Sequence, residues 1–374
     1  MCAKPPSKPR PGVLFADCFS GGDGEGKIFF LFSPVSLLRT LPIGNHTGYK
    51  QWKGTRVSAE EISDLWEGLK QSYLDGFDMM LSGYIPGAAA VEAVGRIAAE
   101  LKAKAGAAGA PGGFFWVLDP VMGDNGNLYV AQDVVPAYRA LLGHADLILP
   151  NQFEAEVLSG VGIEDAASLE RAVGALHAGG SLSSSGVPHV IITSVSLPHL
   201  GHPDRSMWVV GSTRTSAGRP RLFKIVFPAI DCYFSGTGDM FAALMVARMR
   251  EAVHQADAAA DSTAAAAGAT TARLGDRASW VSDDSVDALD LPLARAAEKV
   301  LATMHEVLSK TLEGMDAEMA RVRERLAAEG AAASEEERAR DLRLHQSRAA
   351  ELRLVRNLES LRNPRVAALR AEKM

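Results

Sequence analysis

The sequence predicts an α/β fold with a doubly wound, mainly parallel sheet flanked by helices on both faces, and two observations carry that expectation. Short apolar, β-rich runs alternate with helical stretches through the first two-thirds of the chain, the rhythm of strand–helix–strand units. Several of those runs carry polar groups at their C-terminal ends, where ligands bind on open α/β sheets.

In chain order, the expected strands are "DMMLSG" (78–83), "FFWVLDP" (114–120), "DLILPN" (146–151), "HVIITSV" (189–195), "SMWVVG" (206–211) and "LFKIVFP" (222–228). The helical stretches between the first of them are "SAEEISDLWEGLKQSYL" (58–74), "AAAVEAVGRIAAELKAK" (88–104) and "QFEAEVLSG" (152–160). With the strands parallel, Asp119, Asn151 and Thr193–Ser194 fall on one rim. Two regions break the rhythm. From about Glu251 to Asp290 the chain turns Ala-, Asp- and Ser-rich and reads as an insertion or mobile loop. From Leu312 onward it is charged and helical. Leu312, Met315, Met319, Val322 and Leu326 recur at steps of three and four, the spacing of a short coiled-coil seam or of a surface helix packed on its own domain.

Composition bounds the function. The 374 residues, 47% apolar and 22% charged, are ordinary for a globular chain, and a net charge of −6 leaves no footprint of a nucleic-acid binder. Cys2, Cys18 and Cys232 form neither a disulfide framework nor a paired zinc spacing. The apolar run "IFFLFSPVSLL" is interrupted by Pro34 and too short to span a bilayer. It follows a Pro-rich leader unlike a signal peptide, so the expected location is the cytoplasm, extending to the nucleus. "GGDGEGK" at Gly21–Lys27 partly fits a phosphate-binding P-loop. Ile28 stands where magnesium needs a Ser or Thr, however, and Asp23 and Glu25 put carboxylates where phosphates should lie. It reads as a flexible turn.

The chemistry concentrates in "FSGTGDMFAALMVARM", Phe234–Met249. N–H groups at a helix N-terminus receive anions. Gly236 and Gly238 let the backbone approach a phosphate, and Thr237 adds a hydroxyl donor. Asp239 in the first helical turn repels a phosphate but can take a proton from an alcohol. That makes the alcohol a better nucleophile towards a γ-phosphoryl group whose developing charge the N–H groups stabilise. The turn therefore suits phosphoryl transfer to an alcohol. Taken alone, it also serves as an ordinary helix start with an acid near the dipole.

Its company decides. "FSGTGDMFAAL" resembles the catalytic signature of the ribokinase superfamily. "NHTGYKQWKGT" (Asn45–Thr55), "LSGY" (Leu81–Tyr84), "DPVMGDNGNLYV" (Asp119–Val130) and "PNQFEAEVLSG" (Pro150–Gly160) are similar to pyridoxal kinases, as are "VIITS" and the late "LRLVRNLESLRNP". The resemblance implies one ribokinase-like kinase domain over 1–374, with insertions at about 251–290 and 312–350. It implies ATP-dependent phosphorylation of the 5′-hydroxymethyl group of pyridoxal, and of pyridoxine and pyridoxamine. Asp239 matches the general base, and Gly236, Thr237 and Gly238 match the anion hole. Asn151 and Glu154 match a motif that positions Mg–ATP; Asp119 and Asp124 match acids near the phosphates and cations. Glu154 and Asp124 are thus the implied Mg²⁺ neighbours, with a monovalent cation (K⁺ or Na⁺) a further implied cofactor. Thr193 and Ser194 match hydroxyls at the nucleotide phosphates, and Tyr129 a flap over them. Thr47 and Tyr84 match the lining of the pyridoxal ring, with His46 orienting the turn beside it. A homodimer is implied in the same way.

The residues also have structural readings: Asn151 as an N-cap with Glu154 completing a capping box, Asp119 as a strand end, Tyr84 as core. Three departures from the family stand out. "VLFADCFSGGDGEGKIFFLFSPVSLL" replaces the usual first strand and substrate loop; "VLFAD" remains a candidate first strand, with Cys18 near the place of a substrate-binding serine. Leu149 replaces a threonine commonly found near the cation. The helical stretch between Thr311 and Glu351 is added. Two alternatives follow: a kinase for a related hydroxymethyl heterocycle such as a hydroxymethylpyrimidine, and a catalytically impaired scaffold whose C-terminal heptads bind a partner.

Overall fold

In the computed structural model, residues 13–17, 35–39, 54–179, 186–197, 206–266, 272–328, 334–366 and 369–374 are described, the first two segments as backbone alone. Gly21–Lys27, His46, Thr47, Cys2 and Cys18 lie outside the described residues.

The strands are β1 (Val13–Asp17), β2 (Val35–Arg39), β3 (Met79–Ser82), β4 (Phe115–Leu118), β5 (Gly123–Asp124), β6 (Asn127–Leu128), β7 (Leu147–Ile148), β8 (His189–Val195), β9 (Ser206–Thr213), β10 (Leu222–Pro228) and β11 (Glu372–Lys373). Nine of them form one sheet in the order β11-β10-β9-β8-β7-β4-β3-β1-β2, and β5–β6 is a separate hairpin. From β2 to β8 every neighbouring pair is parallel. Beyond β8 the pairing turns antiparallel through β9, β10 and β11. The parallel expectation thus holds for the βαβ part. It fails at the far edge because no helix separates Val195 from Ser206 or Thr213 from Leu222 among the described residues, and only a crossover element lets successive strands run parallel. "VLFAD" does form a strand, between β2 and β3.

The helices are α1 (Ala59–Gln71), α2 (Ala88–Ala107), α3 (Val134–Leu141), α4 (Gln152–Ser159), α5 (Ala166–Ala178), α6 (Thr237–Ala266), α7 (Pro292–Ala328), α8 (Glu335–Ala349) and α9 (Leu358–Arg362). Capping boxes start α1 (Ser58, Glu61), α4 (Asn151, Glu154), α5 (Asp165, Ser168) and α8 (Ser334, Glu337). The strand period of two sorts the core between two faces. Met80, Trp116, Leu118, Ile148 and Ile192 pack with Trp66, Val94, Tyr138 and Leu169 of α1, α2, α3 and α5. Met79, Leu81, Phe115, Val117 and Ile191 pack with Met245, Met249, Val300 and Val307 of α6 and α7.

One expectation is corrected and one open alternative is decided. The Ala- and Asp-rich stretch up to Ala266 is the second half of α6, a helix of 30 residues, because alanine is the strongest helix former and the charges fall on a solvated side. Beyond it the chain packs into the core: Trp280, 1% exposed, stacks on Phe115 with ring centroids 4.1 Å apart. The heptad-like residues Met315, Met319 and Val322 of α7 are buried inside this chain, with α8 lying along α7, so the packed-helix reading describes them.

Candidate active site

The C-terminal ends of the parallel strands meet the N-terminus of α6 around a cavity of about 850 Å³. Of the residues expected at the site, Tyr84, Asp119, Asp124, Tyr129, Asn151, Glu154, Thr193, Ser194, Gly236, Thr237, Gly238 and Asp239 all line it.

The anion-receiving turn has the geometry its glycines allow. Gly236 holds φ of +78°, a left-handed conformation that favours glycine, and its carbonyl accepts the N–H of Met240 at 3.0 Å to start α6. Thr237 and Asp239 are half-buried in the first turn. A Cβ on Gly238 would stand 3.9 Å from Asp119 Oδ2, so the turn and the β4 carboxylate face each other across the cavity. Asp119 is 7% exposed and its N–H donates to the Ser82 carbonyl at 2.8 Å, which extends the β3–β4 ladder by one step to the rim.

Opposite the turn, Asn151 caps α4 and is at once a structural and a cavity residue. Its side-chain oxygen accepts the Glu154 N–H at 2.9 Å, and its Nδ2 donates to the Gly123 carbonyl at 2.8 Å. Glu154, 3% exposed, accepts the N–H groups of Met122 at 2.8 Å, Gly123 at 3.3 Å and Asn151 at 2.9 Å. Burial pushes its carboxyl up to about 7; the three N–H donors oppose that rise and the Asp124 charge adds to it. The β5–β6 hairpin turns through Asn125 and Gly126, both at positive φ as an Asn-Gly hairpin turn requires. It carries Asp124 at the cavity edge and leads into Tyr129, which is 59% exposed. Desolvation, then the charges of Glu154, Asp119 and Asp124, hold the Tyr129 phenol above its ordinary range. A register irregularity between Ile192 and Val195 places Thr193 and Ser194 on the cavity wall, and the Thr193 N–H donates to the Pro150 carbonyl at 2.9 Å.

Other lining residues escaped the sequence reading. Phe227–Ile230 and Cys232–Phe234 run along the wall from the end of β10 to the turn, and Leu301, Met304, His305 and Leu308 of α7 also line it. Arg56 and the buried Leu149 also line the wall. The alternation in "FPAIDCYF" was the one available signal for the β10 segment. Nothing local marks α7, because tertiary packing against α6 brings it to the site.

Four carboxylates, Asp119, Asp124, Glu154 and Asp239, line one cavity, and Glu154 is held in a setting that disfavours its charge. Among the described residues, no group of three or more His, Cys, Asp or Glu side chains forms a metal cage. The set fits Mg²⁺, which takes one or two carboxylates and completes its shell with substrate phosphates and water.

A mainly parallel sheet whose strand ends face a Gly-Thr-Gly-Asp helix N-terminus across a ring of acids defines a ribokinase-like kinase fold. The family description "phosphomethylpyrimidine kinase" matches residues 94–278. A putative pyridoxal kinase of Schizosaccharomyces pombe is 34% identical over 283 residues, covering 76% of this chain and 78% of that protein. Human pyridoxal kinase is 35% identical over 224 residues, covering 57% of this chain and 67% of that one. The solved pyridoxal kinase from Leishmania donovani in complex with ADP superposes with a TM-score of 0.68 at 25% identity, over 97% of this chain and 99% of that one. The chain belongs to the pyridoxal kinase family.

Proposed function

We propose that this chain transfers the γ-phosphoryl group of ATP to the 5′-hydroxymethyl oxygen of pyridoxal, giving pyridoxal 5′-phosphate and ADP. The observation that carries the reading is the placement of Asp239 and the Gly236–Gly238 turn in one cavity with Asp119, Asn151 and Glu154. Asp239 takes the alcohol proton as the oxygen bonds to phosphorus and the bond to the β-phosphate oxygen breaks. The N–H groups of the turn receive the charge that develops on the transferred group, aided by the positive end of α6. Thr193, Ser194 and the Tyr129 flap flank the nucleotide phosphates, and Tyr84 borders the vitamin ring. Asp124 and Glu154 would hold Mg²⁺, which when bound neutralises phosphate charge and fixes the phosphates in line. Pyridoxine and pyridoxamine carry the same hydroxymethyl group and are expected as substrates.

The test is Mg–ATP-dependent formation of pyridoxal 5′-phosphate by the purified full chain. Turnover is expected; nucleotide binding without turnover on any pyridoxal vitamer overturns the assignment. One second reading is a kinase for a related heterocycle such as a hydroxymethylpyrimidine, the matched family being described as phosphomethylpyrimidine kinase. The kcat/KM ratio for the two heterocycles in the same assay separates them.

A further inference from the structure

The segment Ala229–Ser235 joins β10 to the anion-receiving turn and lines much of one cavity wall. Its side chains alternate. Asp231 and Tyr233 are exposed, Tyr233 at 78%, whereas Cys232 is half-buried and Phe234 only 8% exposed. The residues that bury Phe234 lie far away in sequence, in the α7–α8 helical hairpin: Met315 and Met319 of α7, then Ala349 and Ala350 at the end of α8. Ile230, Cys232, Leu308, Leu312, Leu342 and Leu352 pack around that cluster, and Cys232 Sγ lies 3.6 Å from Met315 Sδ.

The hairpin is itself locked. The Arg353 N–H donates to Thr311 Oγ1 at 3.4 Å, and its guanidinium reaches Glu318 at 3.2 Å. That guanidinium crosses α7 at Gly314, where a Cβ would collide with Arg353 Nη1. The absence of a side chain at Gly314 is what lets the returning chain lie this close.

We propose that the α7–α8 hairpin is a buttress for the nucleotide loop, with Met315 and Met319 as positioning residues that act through Phe234. Phe234 stands two residues before Gly236. A ring buried in one cluster with Met315 and Met319 fixes where the left-handed glycine begins and keeps Tyr233 turned outward at the cavity mouth. Tyr129 and Tyr233 both line the cavity and are exposed, at 59% and 78%. This inference rests on reading the cavity as a nucleotide site.

The test uses the full-length protein with Met315→Ala and Met319→Ala combined, beside the conservative pair Met315→Leu and Met319→Leu. Amide hydrogen exchange on the nucleotide-free protein reads the buttress directly. Faster exchange at 230–238 is expected in the alanine variant, with β3, β4 and β8 still protected and the leucine variant close to the parent. Unchanged exchange at 230–238 overturns the buttress, whatever the substrate proves to be. In turnover assays, kcat/KM for Mg–ATP is expected to fall by up to about 100-fold, as an ångström-scale misplacement can produce, with KM for pyridoxal unchanged. A loosened loop with ATP kinetics unchanged, or equal losses in both KM values, overturns its bearing on the nucleotide. A parent protein without kinase activity refutes the proposed function alone, because the exchange experiment still decides the buttress.

Discussion

Two buried histidines give this protein a built-in sensitivity to acid. His177 Nδ1 faces the Val187 carbonyl at 2.7 Å and its Nε2 faces Ser212 Oγ at 2.8 Å. His189 Nε2 faces the Ser279 carbonyl at 2.7 Å and its Nδ1 faces Thr213 Oγ1 at 2.8 Å. A carbonyl only accepts, so in each ring the nitrogen facing it carries the proton and the other accepts from a hydroxyl; both rings are neutral. Burial drives His177 down to about 4 and His189 to about 3, with the Arg214 and Arg221 charges pushing the same way. The folded values lie below the unfolded value of 6.5, so below that pH the unfolded chain binds more protons and stability is lost as pH falls. A pH of 4.5 lies about two units below the unfolded value, and the loss between pH 7 and 4.5 is about 2.5 kcal/mol per ring and about 5 kcal/mol for the pair. Glu154 works in the opposite direction. Its raised carboxyl costs stability at neutral pH and returns about 3 kcal/mol between pH 7 and 4.5. A pH profile of the parent alone sums these opposing shifts with those of carboxylates held below their ordinary range, such as Asp75, Asp165 and Glu251. Replacing one ring by a non-titrating amide isolates its share. Urea unfolding of the parent and of His177→Gln at pH 7 and 4.5 is expected to show the gap between them shifting by about 2–3 kcal/mol in favour of the variant at the lower pH. Parallel profiles would refute the reasoning, since they would mean that the buried ring protonates as easily as a free one.

Asp239→Asn is expected to lower turnover by roughly 10²–10⁴ while Mg–ATP binding, read by calorimetry, persists; wild-type turnover would remove Asp239 from the chemistry. Asn151→Ala is expected to lose about 1 kcal/mol of stability with the α4 cap and to weaken Mg–ATP binding together with it. Loss of stability with binding intact would leave Asn151 a cap alone. Trp280→Ala removes the stack on Phe115 and the Nε1 bond to the Gly112 carbonyl at 2.9 Å, so denaturant unfolding should show a loss of about 3–5 kcal/mol.

The parts of this structure legible in the sequence are those in which local pattern and tertiary role agree. "DMMLSG", "FFWVLDP" and "HVIITSV" form strands because nearly every residue between their ends is apolar enough for a sheet covered on both faces. Asn151 and Glu154 were readable as a capping box and as site residues, and they line the cavity because the cap is made there. The misses have one cause, contact between distant segments. Composition alone misleads for 251–266, since an alanine-rich stretch of low complexity is still a helix when α7 offers a face to pack on. Leu301, Met304 and Leu308 belong to the cavity wall only because α7 runs beside α6, and no spacing within α7 marks them. Phe234 read as part of a motif, and the spacing of Met315 and Met319 suited a seam or a helix packed on its own domain without naming Phe234 as the partner.

The turn at Ser279–Trp280 bears on what counts as an independently folding piece. Both residues hold positive φ, at 55° and 52°, a strained pair held in place by contacts reaching across much of the chain. Ser279 Oγ donates to Asp146 over a separation of 133 residues, His189 donates to the Ser279 carbonyl over 90, and Trp280 donates to Gly112 over 168. Closing such long loops comes late in folding, after the local strand–helix units have formed. A fragment trimmed to the matched segment 94–278 stops one residue short of that turn. It would strand an imidazole N–H, a carbonyl and part of a buried carboxylate's hydrogen bonding in the core, at about 1–3 kcal/mol each. The matched segment 94–278 is thus no self-sufficient module: its sheet is finished by residues that lie beyond it.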